Sequence, residues 1–284
     1  MDDTNIFGVQ NPEDGEVGYC CVMGNAGELF GLGVYVGSAG LLGYEMVMSG
    51  AFEPGSLEVL AHMRCVMVEF EDRSALRPFD REVIKKSGVK FRGQKSWPLF
   101  TSYLPGYLPW RLTAKEARFL TTALRQAIEV APRFAADNTL LDSPEPGEVF
   151  FVRIPQVEKT RLTWTNEWLE PAPIEVEDTS LDQLEEFTLK SLRKSLSTRD
   201  ATWEVDVIPG PIIGDENDPN NRPFIGRVFM CVDQASLFVL NSSVNGPRVS
   251  LPTSRYLISI LVLPTVGRSE MNVFGVFSPV PGLT

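Results

Sequence analysis

One stretch of this chain, residues 91–110, restricts its own fold more than any other. It reads FRGQKSWPLFTSYLPGYLPW and holds three prolines and two glycines. Because proline lacks a backbone donor and both residue types disfavour regular structure, the stretch cannot be a long helix or a central strand. Five more aromatic residues follow its first Phe, which argues against a floppy linker. We therefore expect an ordered, irregular segment packed on a scaffold, a common location for function.

The clearest helix of the sequence follows this stretch directly. Thr113 and Glu116 match the T-x-x-E capping box that begins many helices. Apolar residues then recur at helical spacing, and Pro132 is expected to end the helix at about Ala131. The apolar positions are Ala117, Leu120, Leu124, Ala127 and Ile128. Such a stripe needs a sheet to cover.

The first ninety residues supply that sheet. Apolar runs at 18–24 and 29–36 flank a glycine-containing turn and predict a β-hairpin, and 64–71 predicts another strand. Shorter helices are expected at 38–48, 56–61 and 78–86, the first capped by Ser38. The glycines of GLGVYVG at 31–37 lie inside a strand at G-x-G-x-x-x-G spacing, which argues against a dinucleotide-binding loop.

The sequence DSPEPG at 142–147 has the composition of a linker and divides the chain into modules 1–141 and 142–284. The second, acidic module is expected to hold a helix at Ser180–Leu196 and an apolar tail beyond about residue 256. Its predicted strands are 148–154, 160–166, 203–208, 224–232 and 236–240. We therefore predict an α+β fold with two modules, each a mostly antiparallel sheet with packed helices.

Charge is distributed unevenly along the chain. The total is -11, yet residues 73–125 hold twelve Lys and Arg against three acids, a net charge of +9 that leaves -20 for the rest. An acidic protein is a poor generic nucleic-acid binder, since that binding depends on neutralising phosphates. Nucleic acid therefore remains an alternative that is not favoured. The local basic band suits an anionic ligand or protein partner.

Composition also bears on location and cofactors. No apolar run approaches the roughly 18–20 residues that cross a bilayer, and the first residues lack a signal-peptide pattern. We expect a cytoplasmic protein with no membrane contact. The four cysteines form no C-x-x-C pair and the sequence has one histidine, so we expect neither a metal nor a cofactor. Cys20 and Cys21 are expected as buried thiols on opposite faces of a strand.

Several motifs together resemble an uncharacterised bacterial family. They are GYCCVMGNAGELFGLGVYVGSAGL and the stretch 91–110 with the helix that follows it. The family is catalogued only as a domain of unknown function, and the resemblance covers about residues 6–135. WEVDVIPGPI and RPFIGRVFMCVDQASLFVL make about residues 145–245 similar to a second such domain. The resemblance implies a cytoplasmic bacterial protein with two α/β modules and implies no activity.

Rings and cations alternate within 91–110, which suits stacking on a planar group while Arg or Lys meets an anion. The candidate residues are Arg92, Gln94, Lys95, Trp97, Tyr103, Tyr107 and Trp110. In the alternative interpretation, Trp97, Phe100 and Trp110 form a hydrophobic plug that anchors the loop. Our leading hypothesis is a non-catalytic binding or adaptor protein that recognises an anionic ligand or partner through 91–110.

The alternative hypothesis is a metal-dependent hydrolase or nuclease. Glu69, Glu71 and Asp72 end an apolar strand, and Glu69 and Glu71 share one face by the two-residue period. Hard cations prefer such oxygen ligands. The favoured explanation of these acids is simpler: a strand that leaves the core becomes polar, and its acids pair with Arg64, Arg73 or Arg77. Nucleophilic catalysis is disfavoured, because a relay would need His62 and no G-x-S-x-G elbow is present.

Overall fold

The computed structural model of the chain describes residues 1–174 and 202–246, apart from 26, 28, 53–55, 145–147, 159–160, 216–217 and 219–220. The chain forms two compact units, Met1–Glu175 and Val176–Thr284. The described part of the first unit has four α-helices and a seven-stranded sheet, and that of the second has a three-stranded sheet. The predicted α+β class with mostly antiparallel sheets is confirmed. The helix expected at Ser180–Leu196 and the apolar tail lie outside the described residues.

The large sheet joins mainly neighbours along the chain. Its strand order is β5-β4-β3-β2-β1-β6-β7, and every pairing is antiparallel except that of β1 with β6. The strands are β1 Ile6–Gln10, β2 Val17–Met23, β3 Phe30–Val36, β4 Cys65–Glu71, β5 Trp97–Tyr103, β6 Phe150–Glu158 and β7 Arg161–Leu169. The predicted hairpin is therefore β2–β3, and the predicted strand after it is β4.

Strand β6 returns to lie parallel to β1, with Gly8 opposite Val152 and Val9 opposite Arg153. Phe151 and Val152 are almost fully buried, so this strand completes the core of the large sheet. The boundary expected at 141/142 therefore falls inside the first unit, because the linker-like sequence after it leads into a strand of the same sheet.

Four helices accompany the sheet: α1 Gly37–Met48, α2 Leu57–His62, α3 Pro78–Ser87 and α4 Ala114–Ala136. Ser56 caps α2 by accepting a hydrogen bond from the Val59 amide. Ser38 does not cap α1, since that helix begins after Val36 and the Ser38 hydroxyl donates to the Ala172 carbonyl instead. The expected cap at Ser38 is therefore wrong.

Helix α4 has the predicted start and a later end than predicted. The Glu116 amide donates to the Thr113 hydroxyl at 3.2 Å, and the Thr113 amide donates to the Glu116 carboxylate at 2.7 Å. Pro132 lies inside the helix, so the prediction that it ends the helix is wrong. Beyond Pro132, the Arg133 guanidinium lies 5.6 Å from the centre of the Phe151 ring, and the Asp137 amide donates a 2.9 Å hydrogen bond to the Arg133 carbonyl.

The two faces of the large sheet carry separate hydrophobic clusters. One contains Phe7, Cys20 and residues of α4, and the other contains Cys21, Tyr35 and residues of α1. Cys20 and Cys21 thus point to opposite faces and are buried, as predicted, and Cys65 and Cys231 are also free and buried.

The stretch 91–110 is more regular than predicted, because β5 runs through its middle. The strand lies at one edge of the sheet, where proline is tolerated, and Pro98 faces Phe70 of β4. On its outer side, the backbone groups of Ser102 and Trp110 exchange hydrogen bonds of 2.7 and 2.9 Å. The expectation of an irregular segment holds only for the residues on either side of this strand.

The sheet of the second unit has the order β10-β9-β8 and is antiparallel. Its strands are β8 Trp203–Ile213, β9 Phe224–Asp233 and β10 Val239–Asn245. Phe229 and Cys231 form its buried centre, and the predicted turn between the last two strands is stabilised by a hydrogen bond from the Ser236 amide to Asp233. None of the described helices has the length and apolar character that crossing a membrane requires.

Candidate functional site

Strand β5 separates the seven candidate binding residues into two groups. Trp97 is its first residue and Tyr103 its last, so about 20 Å of extended chain lies between them. We call residues 91–97 the loop end and residues 103–112 the groove end. The structure therefore does not bring Arg92, Gln94 and Lys95 together with Tyr107 and Trp110.

The loop end presents polar side chains on a tightly turned backbone. Arg92, Gln94 and Lys95 are exposed. Gly93 and Lys95 have positive φ angles of 105° and 45°, a conformation that costs a non-glycine residue energy unless its surroundings hold it. The Lys95 amide donates a 2.8 Å hydrogen bond to the Asp72 carboxylate, which fixes this turn against the end of β4.

Aromatic rings lie beside the cations of the loop end. The half-buried Trp97 contacts the ring of Phe91, and the Arg73 guanidinium lies 5.4 Å from the Trp97 ring centre. The Lys95 ammonium lies 5.9 Å from the ring centre of Phe30, which is 41% exposed. Sequence reasoning did not include Arg73 and Phe30 in the site. Each comes from a separate element and reaches its partner in the loop end, Trp97 or Lys95, only once β3, β4 and β5 are paired.

The carboxylates of the alternative hypothesis lie next to the loop end. Glu69 and Glu71 lie on the same face of β4. Their neighbours across the strand pair on β5 are Leu99 and Trp97, respectively. Burial, and then the nearby charge of Glu71, raise the pKa of Glu69 above its usual value. Asp72 accepts the hydrogen bond from the Lys95 amide. Within the described residues, no three His, Cys, Asp or Glu side chains are grouped as a metal site would require.

At the groove end, the two candidate tyrosines have different surroundings. Tyr103 packs beside the cluster that contains Cys65 and Met67, and burial, with a smaller effect of the charge on Glu69, raises its pKa to about 12. Tyr107 belongs to a turn in which its amide donates a hydrogen bond to the Leu104 carbonyl. The neighbouring Gly106 amide donates a hydrogen bond to the Leu60 carbonyl. This turn therefore attaches the groove end to α2.

An apolar groove of about 280 Å³ lies between α3 and α4, with Phe100 of β5 among its lining residues. Ile84 and Leu120 line its buried part. Phe79 and Val83, one turn apart on α3, also line it and are each 42% exposed. This is a concave surface on which two large apolar side chains remain in contact with water.

Arg111 lines the same groove. Its guanidinium carbon lies 5.0 Å from the ring centre of Phe79 and 5.7 Å from that of Trp110. A planar guanidinium packed on rings keeps its N–H donors available at its edge. The sequence carried a signal for this residue, namely a cation directly after the aromatic stretch, but nothing that placed it against α3.

The basic band is only partly neutralised by carboxylates. Among the described residues, four of its cations form ion pairs, namely Arg77–Asp80, Lys86–Glu82, Lys115–Asp14 and Arg118–Glu13. Other members form no ion pair with a carboxylate in the part of the chain that the structure describes; they include Arg73, Arg81, Lys85, Lys90, Arg92 and Arg111. These cations are available to an anion from outside.

His62 belongs to neither the loop end nor the groove end. It is the last residue of α2, its ring stacks on Phe52 at 5.3 Å, and its Nδ1 is 3.0 Å from the Glu58 carbonyl oxygen. These contacts give the histidine a local role at the end of its helix.

Comparison with known proteins identifies the first unit. Neither curated proteins nor solved structures gave a match to this chain. The family described as "Domain of unknown function (DUF7309)" matches residues 1–153, from the N-terminus into β6. The prediction that the first half resembles a domain of unknown function is confirmed, while a second such domain stays a prediction. The match covers more than half of the sequence, and the chain therefore belongs to the DUF7309 family.

Proposed function

We propose that this protein is a non-catalytic binding or adaptor module that recognises an anionic ligand or partner through the surface built on residues 91–110. One observation carries the proposal: cations of this surface pack on aromatic rings instead of pairing with carboxylates. Arg73 packs on Trp97, and Arg111 packs on Phe79 and Trp110.

This arrangement favours anion recognition for a physical reason. A guanidinium that rests on a ring is oriented without being neutralised, so an incoming carboxylate or phosphate need not displace an internal ion pair. Residues 73–125 carry a net charge of +9 in a chain of net charge -11, and this local excess of positive charge also favours an anionic ligand.

A binding experiment with defined polyanions tests the proposal. We would titrate the full chain against fluorescein-labelled poly-L-glutamate, and against single-stranded DNA of similar length, by fluorescence anisotropy at low salt. The double variant Arg92→Glu/Arg111→Glu is expected to weaken poly-L-glutamate binding by about tenfold or more, which is about 1.4 kcal/mol. Binding should also weaken as NaCl is added.

The matched control is Arg227→Glu, an exposed cation of the second unit. The single variants Arg92→Glu and Arg111→Glu carry the same charge change as Arg227→Glu, and each should weaken poly-L-glutamate binding more than Arg227→Glu does. If the variants of the first unit and Arg227→Glu weaken binding equally, or if neither polyanion binds at low salt, recognition through 91–110 is ruled out. Tighter binding of DNA than of poly-L-glutamate would make nucleic acid the favoured ligand.

We also propose that residues 145–245 contain a second domain of unknown function and that the protein works in the bacterial cytoplasm. The support is the sequence resemblance and the presence of four free, buried thiols, which suit a reducing compartment. Fractionation of cells that express a tagged full-length chain tests the location, and recovery in the periplasm or the medium would contradict it.

A further inference from the structure

We infer that the groove between α3 and α4 binds an acidic amphipathic helix of a partner protein, with a partner carboxylate on Arg111. This inference rests on the proposed function and narrows it, because it names both the class of partner and the place where it docks. It depends on the apolar surface of the groove, its size and its charge.

The groove leaves large apolar side chains in contact with water. Phe79 and Val83 are each 42% exposed and lie one turn apart, so they form a continuous strip along α3. Leu120 and Leu124 of α4 line the groove together with them. Grouped apolar side chains in a concave surface mark binding sites more often than scattered ones do.

The size of the groove favours side chains of a partner over a free small molecule. Its volume of about 280 Å³ lies at or below the low end of small-molecule sites, which span roughly 300–1,000 Å³. The ten residues of α3 extend for about 15 Å. A partner helix of about three turns therefore matches the length of this wall and can insert side chains spaced at i, i+3 and i+4.

An added β-strand is the less suitable form of partner here. Pro98 of the edge strand has no backbone N–H to donate, and the outward backbone groups of Ser102 already bond Trp110. A helix satisfies its own backbone hydrogen bonds and needs only an apolar surface from this chain.

The charges in the groove favour an acidic partner. Two charged residues line it, Asp80 and Arg111. Asp80 is buried and accepts hydrogen bonds from the Arg77 side chain at 2.7 and 3.2 Å, so its charge is already compensated. Arg111 contacts rings rather than a carboxylate in the described structure. The charge left for a partner to meet is therefore positive.

Two peptides of identical composition test the inference on the full chain. One is a helix-forming peptide of about 15 residues with leucines at i, i+3, i+4 and i+7 and glutamates elsewhere. The other has the same residues in scrambled order. The amphipathic peptide should bind about tenfold more tightly or better, and its addition should shift the methyl NMR signals of Val83, Ile84 and Leu120.

Val83→Asp should remove the preference for the amphipathic peptide, because it places a carboxylate in the apolar strip of the groove. Val89→Asp is the matched control, because Val89 is 53% exposed and does not line the groove. If the thermal melt shows that Val83→Asp is unfolded, Thr121→Trp replaces it, since Thr121 lines the groove from α4 and is exposed.

The outcomes separate the inference from the proposed function. Equal binding of both peptides, with no effect of Val83→Asp or Thr121→Trp, overturns docking in the groove, while poly-L-glutamate binding would still uphold anion recognition. Groove-dependent binding of the amphipathic peptide without poly-L-glutamate binding supports the docking site and overturns recognition by charge alone. If neither peptide nor polyanion binds, both proposals are overturned.

Discussion

The Nε of Arg153 donates a 2.9 Å hydrogen bond to Oε1 of Gln126, and both side chains are almost fully buried. The same guanidinium donates to Asn166 of β7 and, at 2.9 Å, to the carboxylate of Glu129 on α4. A buried cation is tolerated only when its donors are satisfied. Arg153 therefore links β6 to both α4 and β7.

Arg153→Lys should destabilise the first unit, because one ammonium cannot reach three acceptors that a guanidinium fork reaches together. Leaving the buried Gln126 oxygen without a donor costs about 1–3 kcal/mol. The measurement is urea denaturation followed by circular dichroism. Arg161→Lys, an exposed position on β7, is the control and should change little. Equal stability of the two variants would show that the Arg153 contacts contribute nothing.

Thr113→Ala should lower stability by about 0.5–2 kcal/mol, because the first turn of α4 loses the side-chain acceptor for the Glu116 amide. Thr113→Ser keeps a hydroxyl at the same position and should retain most of the stability. Thermal melts of the three proteins check this prediction. A Ser variant as unstable as the Ala variant would mean that the methyl group, and not the cap, matters.

Two glycines on β3 should respond differently to alanine. A Cβ at Gly31 would lie 2.5 Å from the Val68 carbonyl oxygen, whereas a Cβ at Gly33 would meet nothing closer than 3.4 Å. Because the contact at Gly31 is with backbone, the strands must separate, and overpacking of this kind costs about 1–3 kcal/mol. Gly31→Ala should therefore have a clearly lower melting temperature than Gly33→Ala. Equal melting temperatures would show that β3 and β4 shift apart at little cost.

Glu69→Gln should stabilise the protein near neutral pH and have a smaller effect in acid. The pKa of Glu69 is raised above its ordinary 4.5, mainly by burial, so the folded state binds its proton more tightly than the unfolded state does. The wild type therefore loses stability, relative to the Gln variant, as pH rises through the raised pKa. Melting temperatures measured from below pH 4.5 to neutral pH check this, and a difference that shrinks with rising pH would contradict the assigned cause.

Millimolar Mg²⁺ or Mn²⁺ should leave the melting temperature unchanged if the binding hypothesis is correct. A cation that binds only the folded state at 100 times its Kd would add about 2.7 kcal/mol of stability. A clear rise that Glu71→Gln abolishes would instead support the metal-dependent hydrolase or nuclease. NaCl at equal ionic strength controls for general salt effects.

Local sequence patterns were sufficient to predict the elements whose stabilising contacts join residues close to each other in the sequence. The capping box at Thr113 and Glu116 predicted the start of α4, because the hydrogen bonds it forms span three residues. The β2–β3 hairpin was predicted for the same reason, as was α3, which is followed by Gly88 with a φ of 71°.

Features that depend on distant residues were not predictable from one sequence. Residues 142–147 have the composition of a linker, yet they connect α4 to β6 within one unit. Only the parallel pairing of β6 with β1 shows that β6 belongs to the large sheet. Proline disfavours a helix interior, yet α4 continues past Pro132 to Ala136, where Arg133 packs on Phe151 of the distant strand β6. The contact of Arg111 with Phe79 likewise requires α3 to lie beside β5, which no local pattern specifies.

The outer edge of strand β5 has few free backbone groups with which another strand could pair. Pro98 offers no amide, the carbonyl of Phe100 accepts a 3.0 Å hydrogen bond from Arg77, and Ser102 is bonded to Trp110. A second copy of the chain approaching this border finds few groups with which to continue the sheet. Pairing of this edge with a strand of another copy is therefore disfavoured, although β5 is an edge strand of the large sheet.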